Sequence, residues 1–160
     1  MANPFPFVAG DVLTAADMNG IGEWTSYTPV LTASTTNPTL GTGSTVIGSY
    51  ARIQDLIIYR FYIGFGSSGV NAGSGFYYVS LPVTANQFGN FFTASSGQTA
   101  FYDSSGNAIY FANSWMDTST RISIIFQQSF NGAMANMTNS VPAIAAANDV
   151  ISGYMIYRAA

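Results

Sequence analysis

The sequence predicts an all-β protein: an antiparallel β-sandwich, jelly-roll-like in architecture, preceded by an extended N-terminal arm with a short helix. Two observations carry this prediction. Short segments rich in Tyr, Phe, Ile and Val recur along the chain, and loops of Gly, Ser and Asn separate them. Aromatic residues make up 15% and hydrophobic residues 48% of the 160 residues, which is enough to fill the core of one domain without disulfides.

The first 22 residues differ from the rest and are predicted to form the arm. Residues 3–8 contain two prolines, each of which fixes its own φ and biases the preceding residue toward extended backbone. Thr14 is a candidate N-cap, and Asp17 places an acid in the first turn of the short helix that follows. Because so short a segment cannot fold alone, we assign residues 1–22 to a docking arm and residues 23–160 to the β domain.

The segments after Trp24 are predicted to be strands. Turn residues at Gln54 and Asp55 indicate one hairpin, and the loop 103–107 indicates a second. Residues 143–147 are rich in alanine and are predicted to form either one helical turn or a loop. The predicted strands are Tyr27–Thr32, Thr45–Ile53, Leu56–Phe65, Phe76–Leu81, Thr99–Tyr102, Ala108–Phe111, Arg121–Phe126 and Val150–Tyr157.

The predicted strand that begins at Leu56 is apolar on both faces. A strand with one face in solvent alternates apolar and polar residues, whereas here the second face is also mostly apolar. Two interpretations stay open: a central strand of a sandwich with a tyrosine-rich surface, or a second face buried by another subunit. Under the second interpretation, the candidate subunit-interface residues are Leu56, Ile58, Arg60 and Tyr62.

The composition argues against catalysis. The chain contains no histidine, cysteine or lysine, and Glu23 is its single glutamate. Histidine is the usual proton carrier near neutral pH, cysteine and lysine are frequent nucleophiles, and histidine and cysteine are the usual zinc ligands. We therefore predict no enzymatic activity, no catalytic residue, no metal site and no cofactor.

The charge distribution restricts the partners. Charged residues are 7% of the chain and the formal net charge is −3. The arginines at 52, 60, 121 and 158 are isolated from one another, so the concentrated positive field that nucleic acid requires is not expected. No apolar run approaches about 18 residues, and the N-terminus has no secretory pattern, so no membrane span or signal peptide is predicted.

Three motifs each have a functional and a structural interpretation. Gly64–Gly69 matches G-x-G-x-x-G, but no helix pattern follows it, so we predict a loop rather than a dinucleotide site. Asp103 and Asp117 are candidates for a glycosidase pair, but aspartate at such positions usually forms turns. Trp24 and Trp115 are candidates for stacking on sugar rings, although packing in a core or an interface is the favoured interpretation.

Three segments carry a family resemblance. Residues 8–19, V-A-G-D-V-L-T-A-A-D-M-N, resemble the "aG-x-x-LTAADlN" segment at the N-terminus of tail-fibre and other virion-surface proteins of tailed bacteriophages. Residues 24–29, W-T-S-Y-T-P, are similar to the "W-x-x-Y-T-P" opening of the β domain that follows it. Residues 48–53, G-S-Y-A-R-I, resemble a "G-x-Y-x-x-i-G" strand of these domains, with Gln54 in place of the final glycine. Together the three segments cover about the first third of the chain.

The resemblance implies a non-enzymatic structural protein at the virion surface, with a trimeric β knob and an N-terminal docking arm. Its expected partners are itself, as a homotrimer, and other virion proteins of the capsid, neck or tail. The candidate docking residues are Pro4, Phe5, Pro6, Phe7, Val8, Leu13 and Met18.

No heptads, collagen-like triplets or repeats indicate a fibre shaft. The absence of a shaft pattern favours a capsid decoration or cement protein, or a short head or tail fibre. The alternative is a receptor-binding tail-fibre tip, with Trp115 stacking on a host-surface glycan.

Overall fold

The structure, a computed structural model, describes residues 9–10, 12, 14–86, 95–127 and 134–160. Within these ranges it contains one short helix and ten strands, which confirms the predicted all-β class. The helix is α1 (Ala15–Gly20), and the strands are β1 (Trp24–Tyr27), β2 (Leu31–Ala33), β3 (Thr45–Ile53), β4 (Leu56–Gly64), β5 (Tyr77–Ser80), β6 (Ser95–Asp103), β7 (Ala108–Thr118), β8 (Arg121–Gln127), β9 (Met134–Asn136) and β10 (Val150–Arg158).

The described strands form one antiparallel sheet. Their order across the sheet is β1, β3, β4, β10, β6, β7, β8, β5 and β2, and β9 pairs with β8. Neighbours in the chain form hairpins at β3–β4 and through β6, β7 and β8, while β10 lies between β4 and β6. The last strand therefore joins two hairpin units that are separate in the sequence.

One face of this sheet is turned inward along its width. The odd-numbered residues of β4, Ile57 to Ile63, are buried in a single hydrophobic cluster. The same cluster receives buried residues from β2, β5, β6, β7, β8 and β10. Because successive side chains of a strand point to opposite faces, the sheet curls around one core and gives the sandwich-like architecture.

The two edges of the curled sheet meet where the chain passes from β1 to β2. The Tyr27 hydroxyl lies 2.7 Å from Ser80 Oγ on β5. The Ser80 N–H donates to the Val30 carbonyl at 3.0 Å, and the Val30 N–H donates to Ser80 Oγ at 2.8 Å. A single strand over Tyr27–Thr32 was predicted here. Instead the strand is interrupted around Pro29, which has no N–H, and the chain crosses between the sheet edges.

Both predicted hairpins are present. Gln54, in the β3–β4 turn, has a φ of 54°, a left-handed conformation that glycine adopts at less cost. This is the position at which the resembled domains carry glycine. In the second hairpin, Asp103 Oδ1 accepts hydrogen bonds from Ser105 Oγ at 2.7 Å and from the Gly106 N–H at 2.9 Å. Asp103 is therefore the turn-forming residue that the sequence predicted.

The segment between β9 and β10 is organised by a buried carboxylate. Asp149 is fully buried, and its Oδ1 accepts the Ser104 N–H at 2.9 Å while its Oδ2 accepts the Ala146 N–H at 2.7 Å. Residues 143–147 form a loop rather than a helical turn. Asp149 thus connects this loop to the turn between β6 and β7 through its hydrogen bonds. Neither this role of Asp149 nor strand β9 was predicted from the sequence.

Replacing Asp149 with alanine is expected to lower the free energy of unfolding by about 2–4 kcal/mol, because two backbone donors lose a charged acceptor. Asp149→Asn should cost less, since an amide oxygen still accepts one of the two bonds. The control is Asp55→Ala, which removes an exposed ion pair with Arg158 (3.2 Å) and should cost at most about 1 kcal/mol. Urea unfolding at neutral pH measures all three; equal losses for Asp149→Ala and Asp55→Ala would contradict the assignment.

Three tyrosines of the core resist ionisation. Burial raises the pKa of Tyr77 to about 12, and burial is also the main cause that raises the pKa values of Tyr59 and Tyr157. The Tyr157 hydroxyl donates to the Val83 carbonyl at 2.8 Å. Within the described residues, the Tyr59 hydroxyl has no hydrogen-bond partner. The unfolded chain ionises its tyrosines near pH 10, so these phenols stay protonated in the folded state to higher pH.

The stabilising effect of the protonated tyrosines is complete below about pH 10 and is lost as the pH rises through the raised pKa values. Each of the three tyrosines should lower the free energy of unfolding by up to about 1.4 kcal/mol for each pH unit above pH 10. Urea unfolding between neutral pH and pH 11 measures this loss, with tyrosinate absorbance as a second probe. Tyr59→Phe should make the alkaline decline shallower at little cost at neutral pH. Stability that stays constant to pH 11 would overturn the prediction.

Candidate functional site

The outward face of β3, β4 and β10 carries a continuous group of apolar side chains. The inward residues of β4 are buried, whereas Leu56 and Tyr62 on its outward side are 42% and 41% exposed. Neighbouring strands extend the group through exposed isoleucines and a tyrosine. We call this set the outer apolar face; it consists of Ile47, Ile53, Leu56, Ile58, Tyr62, Tyr154 and Ile156.

The strand registers show that these side chains are direct neighbours. Ile47 on β3 is opposite Tyr62, and Ile53 is opposite Leu56. On the other side of β4, Ile58 is opposite Ile156 of β10. Residues opposite one another on the same face of an antiparallel pair have Cβ atoms about 4.5–5.5 Å apart, so the face is contiguous. Leu56, Ile58, Arg60 and Tyr62 thus lie together on the outward side, as the alternation of the strand requires.

Arg60 is the charged residue in the middle of this surface. Its guanidinium carbon lies 4.7 Å from the centroid of the Trp24 ring, and its Nε donates to Ser49 Oγ at 2.8 Å. Both contacts hold the side chain against the sheet toward β1. The arginine therefore shields part of Trp24, while Ile47, Ile53 and Ile156 of the outer apolar face remain exposed.

A cleft of about 390 Å³ lies on the outward side of β5, β7 and β8. Trp115 on β7 is opposite Ser123 on β8, which in turn is opposite Tyr78 on β5. We call this the aromatic cleft; its lining residues are Phe76, Tyr78, Trp115, Met116, Asp117, Thr118, Arg121, Ser123, Ile125 and Asn136.

The lining of the aromatic cleft includes an ion pair. Arg121 Nε lies 2.5 Å from Asp117 Oδ2, and the Arg121 guanidinium carbon lies 3.9 Å from the centroid of the Tyr78 ring. The two charged side chains are four residues apart across the tight β7–β8 hairpin, which brings them together. Their side chains keep 41% and 26% of their surface exposed, so both remain accessible from the cleft.

The aromatic rings of the cleft differ in accessibility. Trp115 is only 9% exposed, whereas Phe76 is 46% exposed. The structure therefore places Trp115 in the wall of the cleft with little free ring surface, and its role in stacking stays a prediction. Phe76, Arg121 and Asn136 were not predicted from the sequence to be site residues. The spacing of Asp117 and Arg121 around a predicted turn was a signal for the pair, whereas Asn136 lies on the strand that was missed.

The structure separates the two aspartates considered as a glycosidase pair. Asp103 is opposite Ala108 at the start of β7, and Asp117 lies near the other end of that strand. The strand rise places them roughly 30 Å apart, whereas glycosidase carboxylates are about 5–9.5 Å apart. Hydrogen bonds from the Gly106 N–H and then from Ser105 lower the pKa of Asp103. This carboxylate therefore stabilises its turn above pH ~4, and the effect is lost as the pH falls through the lowered pKa.

The described part of the arm contains a short helix that is capped at its N-terminus. Thr14 Oγ1 accepts the Asp17 N–H at 3.2 Å. Asp17 Oδ2 accepts hydrogen bonds from the Thr14 hydroxyl at 2.6 Å and from the Thr14 N–H at 2.9 Å, and these two bonds lower the pKa of Asp17. Helix α1 has no buried residue, and Met18 is exposed. The other candidate docking residues, Pro4, Phe5, Pro6, Phe7, Val8 and Leu13, lie outside the described residues.

The glycine-rich motif after β4 is a loop, as predicted. A Cβ atom at Gly66 would lie 2.2 Å from the Thr42 carbonyl oxygen, so a side chain has no room there. The Gly66 N–H donates to the Leu40 carbonyl at 2.7 Å. The glycine is required by the close approach of two backbone segments and not by a bound phosphate.

The described residues include no group of three or more acidic side chains placed to hold a metal ion. No described helix has the length and apolar character needed to cross a membrane. No family model, no curated protein and no solved structure matches the chain.

Proposed function

We propose that this chain is a non-enzymatic structural protein of a tailed-bacteriophage virion. In this proposal the β domain is a trimeric knob at the virion surface, assembled through the outer apolar face. Residues 1–22 dock the knob on other virion proteins, as in a capsid decoration or cement protein or a short head or tail fibre. The observation that carries the proposal is the contiguous exposed apolar surface of β3, β4 and β10.

The composition of this face supports self-association. Monomeric soluble proteins rarely expose contiguous apolar patches larger than a few hundred Å², and subunit interfaces are enriched in aromatic residues and poor in charge. Here the charged groups near the face are Arg60, held against Trp24, and the pair of Arg158 and Asp55 at its end. Burying this surface against another copy would therefore remove few charges from water.

The arm supports attachment to a different partner. Its helix is capped by its own side chains and buries none of its residues against the β domain. Two apolar residues of the arm, Val12 and Met18, remain exposed. Burial of one large apolar side chain contributes about 1.5–3 kcal/mol to binding. This gain only slightly exceeds the cost of ordering the backbone of one residue. Several arms on one oligomer would bind together with a gain in avidity.

A charge in the outer apolar face should prevent assembly. Ile156→Asp is expected to give a folded monomer, because assembly would bury an unpaired carboxylate. Ile144→Asp is the matched control, since Ile144 is an exposed isoleucine in the loop before β10. Light scattering at micromolar concentration measures the mass, and thermal unfolding checks the fold. A monomeric wild-type protein, or equal effects of both substitutions, would contradict the proposed interface.

Removing residues 1–20 should leave a folded, oligomeric β domain that no longer joins particles of the phage that encodes it. Phe5→Ala combined with Phe7→Ala should weaken attachment with little change in melting temperature. Co-sedimentation with particles that lack the protein measures attachment. A truncated protein that aggregates or melts many degrees lower would show that the arm belongs to the core of the domain or of the trimer.

Localisation provides the direct test of the virion role. An antibody raised against the β domain should label intact particles in electron micrographs, and the labelled position distinguishes capsid, neck and tail. Purified particles that contain none of the protein would overturn the proposal.

A further inference from the structure

The aromatic cleft combines three kinds of group. Phe76 offers an exposed ring at its rim. Asp117 and Arg121 offer a carboxylate and a guanidinium side by side, joined through Oδ2 and Nε. Asn136 and Ser123 add an amide and a hydroxyl to the lining. Small-molecule sites are typically apolar clefts in which a few polar groups fix the orientation of the ligand, and this cleft has that composition.

The charges of the cleft favour a ligand without net charge. Asp117 and Arg121 are the ionised residues of its lining, and their charges cancel. The guanidinium already pairs with the carboxylate and lies on the Tyr78 ring. A phosphate or carboxylate ligand would have to compete with Asp117 for Arg121 and would lie near a like charge. A cationic ligand would have to compete with Arg121 for Asp117 and would lie near the like charge of Arg121.

The polar groups favour a ligand that both donates and accepts hydrogen bonds. A carboxylate accepts, a guanidinium donates, and an amide does both. Adjacent hydroxyl groups satisfy such a set, because each hydroxyl is at once a donor and an acceptor. The negative face of the Phe76 ring suits a ligand surface of C–H groups. One molecule that has vicinal hydroxyls on its edge and C–H groups on a face is a pyranose sugar.

We propose that the aromatic cleft binds an uncharged pyranose residue. Its C–H face lies on Phe76, and its vicinal hydroxyls bond to the Asp117–Arg121 pair and to Asn136. The volume of about 390 Å³ is near the small end of the roughly 300–1,000 Å³ found for ligand sites, so one or two sugar units are recognised at a time. In this proposal Phe76, rather than Trp115, is the ring on which the sugar stacks, and Trp115 supports the wall of the cleft. This binding site goes beyond the proposed structural role and does not depend on it.

Saturation-transfer NMR on the purified full-length protein tests the site. The probes are the methyl glycosides of glucose, galactose and mannose, with N-acetylglucosamine as a further uncharged sugar and sialic acid as the charged comparison. At least one uncharged sugar should bind with a millimolar dissociation constant, and sialic acid should not bind more tightly. A second readout is the fluorescence of the Trp24→Phe variant, in which Trp115 is the remaining tryptophan of the two.

Substitutions test whether the sugar binds in the aromatic cleft. Phe76→Ala and Asn136→Ala should each weaken binding roughly three- to tenfold, whereas Phe76→Tyr should retain it. The matched control is Phe111→Ala, because Phe111 is 79% exposed on β7 and does not line the cleft. Melting temperatures of all variants check the fold.

Three outcomes would overturn the proposal: no uncharged sugar binds, sialic acid binds more tightly than every uncharged sugar, or Phe111→Ala weakens binding as much as Phe76→Ala. None of these outcomes bears on assembly through the outer apolar face or on the docking arm, so failure of the sugar site and failure of the structural role are distinguishable.

Discussion

A single antiparallel sheet can enclose a core only if its two edges come together, and the contacts of Tyr27 and Val30 with Ser80 bring them together here. β1 and β2 are neighbours in the chain but lie at opposite ends of the strand order. The short crossing between them therefore sets how tightly the sheet curls. Tyr27 also packs edge-on against Tyr59, with ring centroids 5.8 Å apart, so closure and core packing depend on the same side chain. Loss of these contacts between the two sheet edges would expose the inward face of the central strands.

The alternation of side chains along each strand determines both the residues of the core and the residues of the outward surface. Each strand that buries one set of side chains presents the other set outward. Most soluble proteins place charges there, but only 7% of this chain is charged. The result is an outer apolar face on β3, β4 and β10 and a polar, aromatic-lined cleft on β5, β7 and β8. The two surfaces use different strands, so the proposed assembly and the proposed sugar binding would not compete for the same residues.

The few charges of the chain are used locally. Arg60 lies over Trp24, Arg121 lies over Tyr78 and pairs with Asp117, and Arg158 pairs with Asp55. The Arg52 Nε donates to the Gln54 carbonyl at 2.7 Å. Arg52, Arg121 and Arg158 thus lie at strand ends or turns, whereas Arg60 lies in the middle of β4.

The sequence by itself determined the all-β class, the β3–β4 hairpin, the capped helix at Thr14 and the two-sided apolar character of β4, because propensity, turn chemistry and period-two patterning are local properties of the chain. Only the tertiary structure decided the strand order, the closure of the sheet and which face of β4 is buried. The aromatic cleft required it as well: Phe76, Asp117 and Asn136 are distant in sequence and meet only because β5, β7 and β9 all lie beside β8. Contacts between such segments depend on the sheet order, which no local pattern encodes.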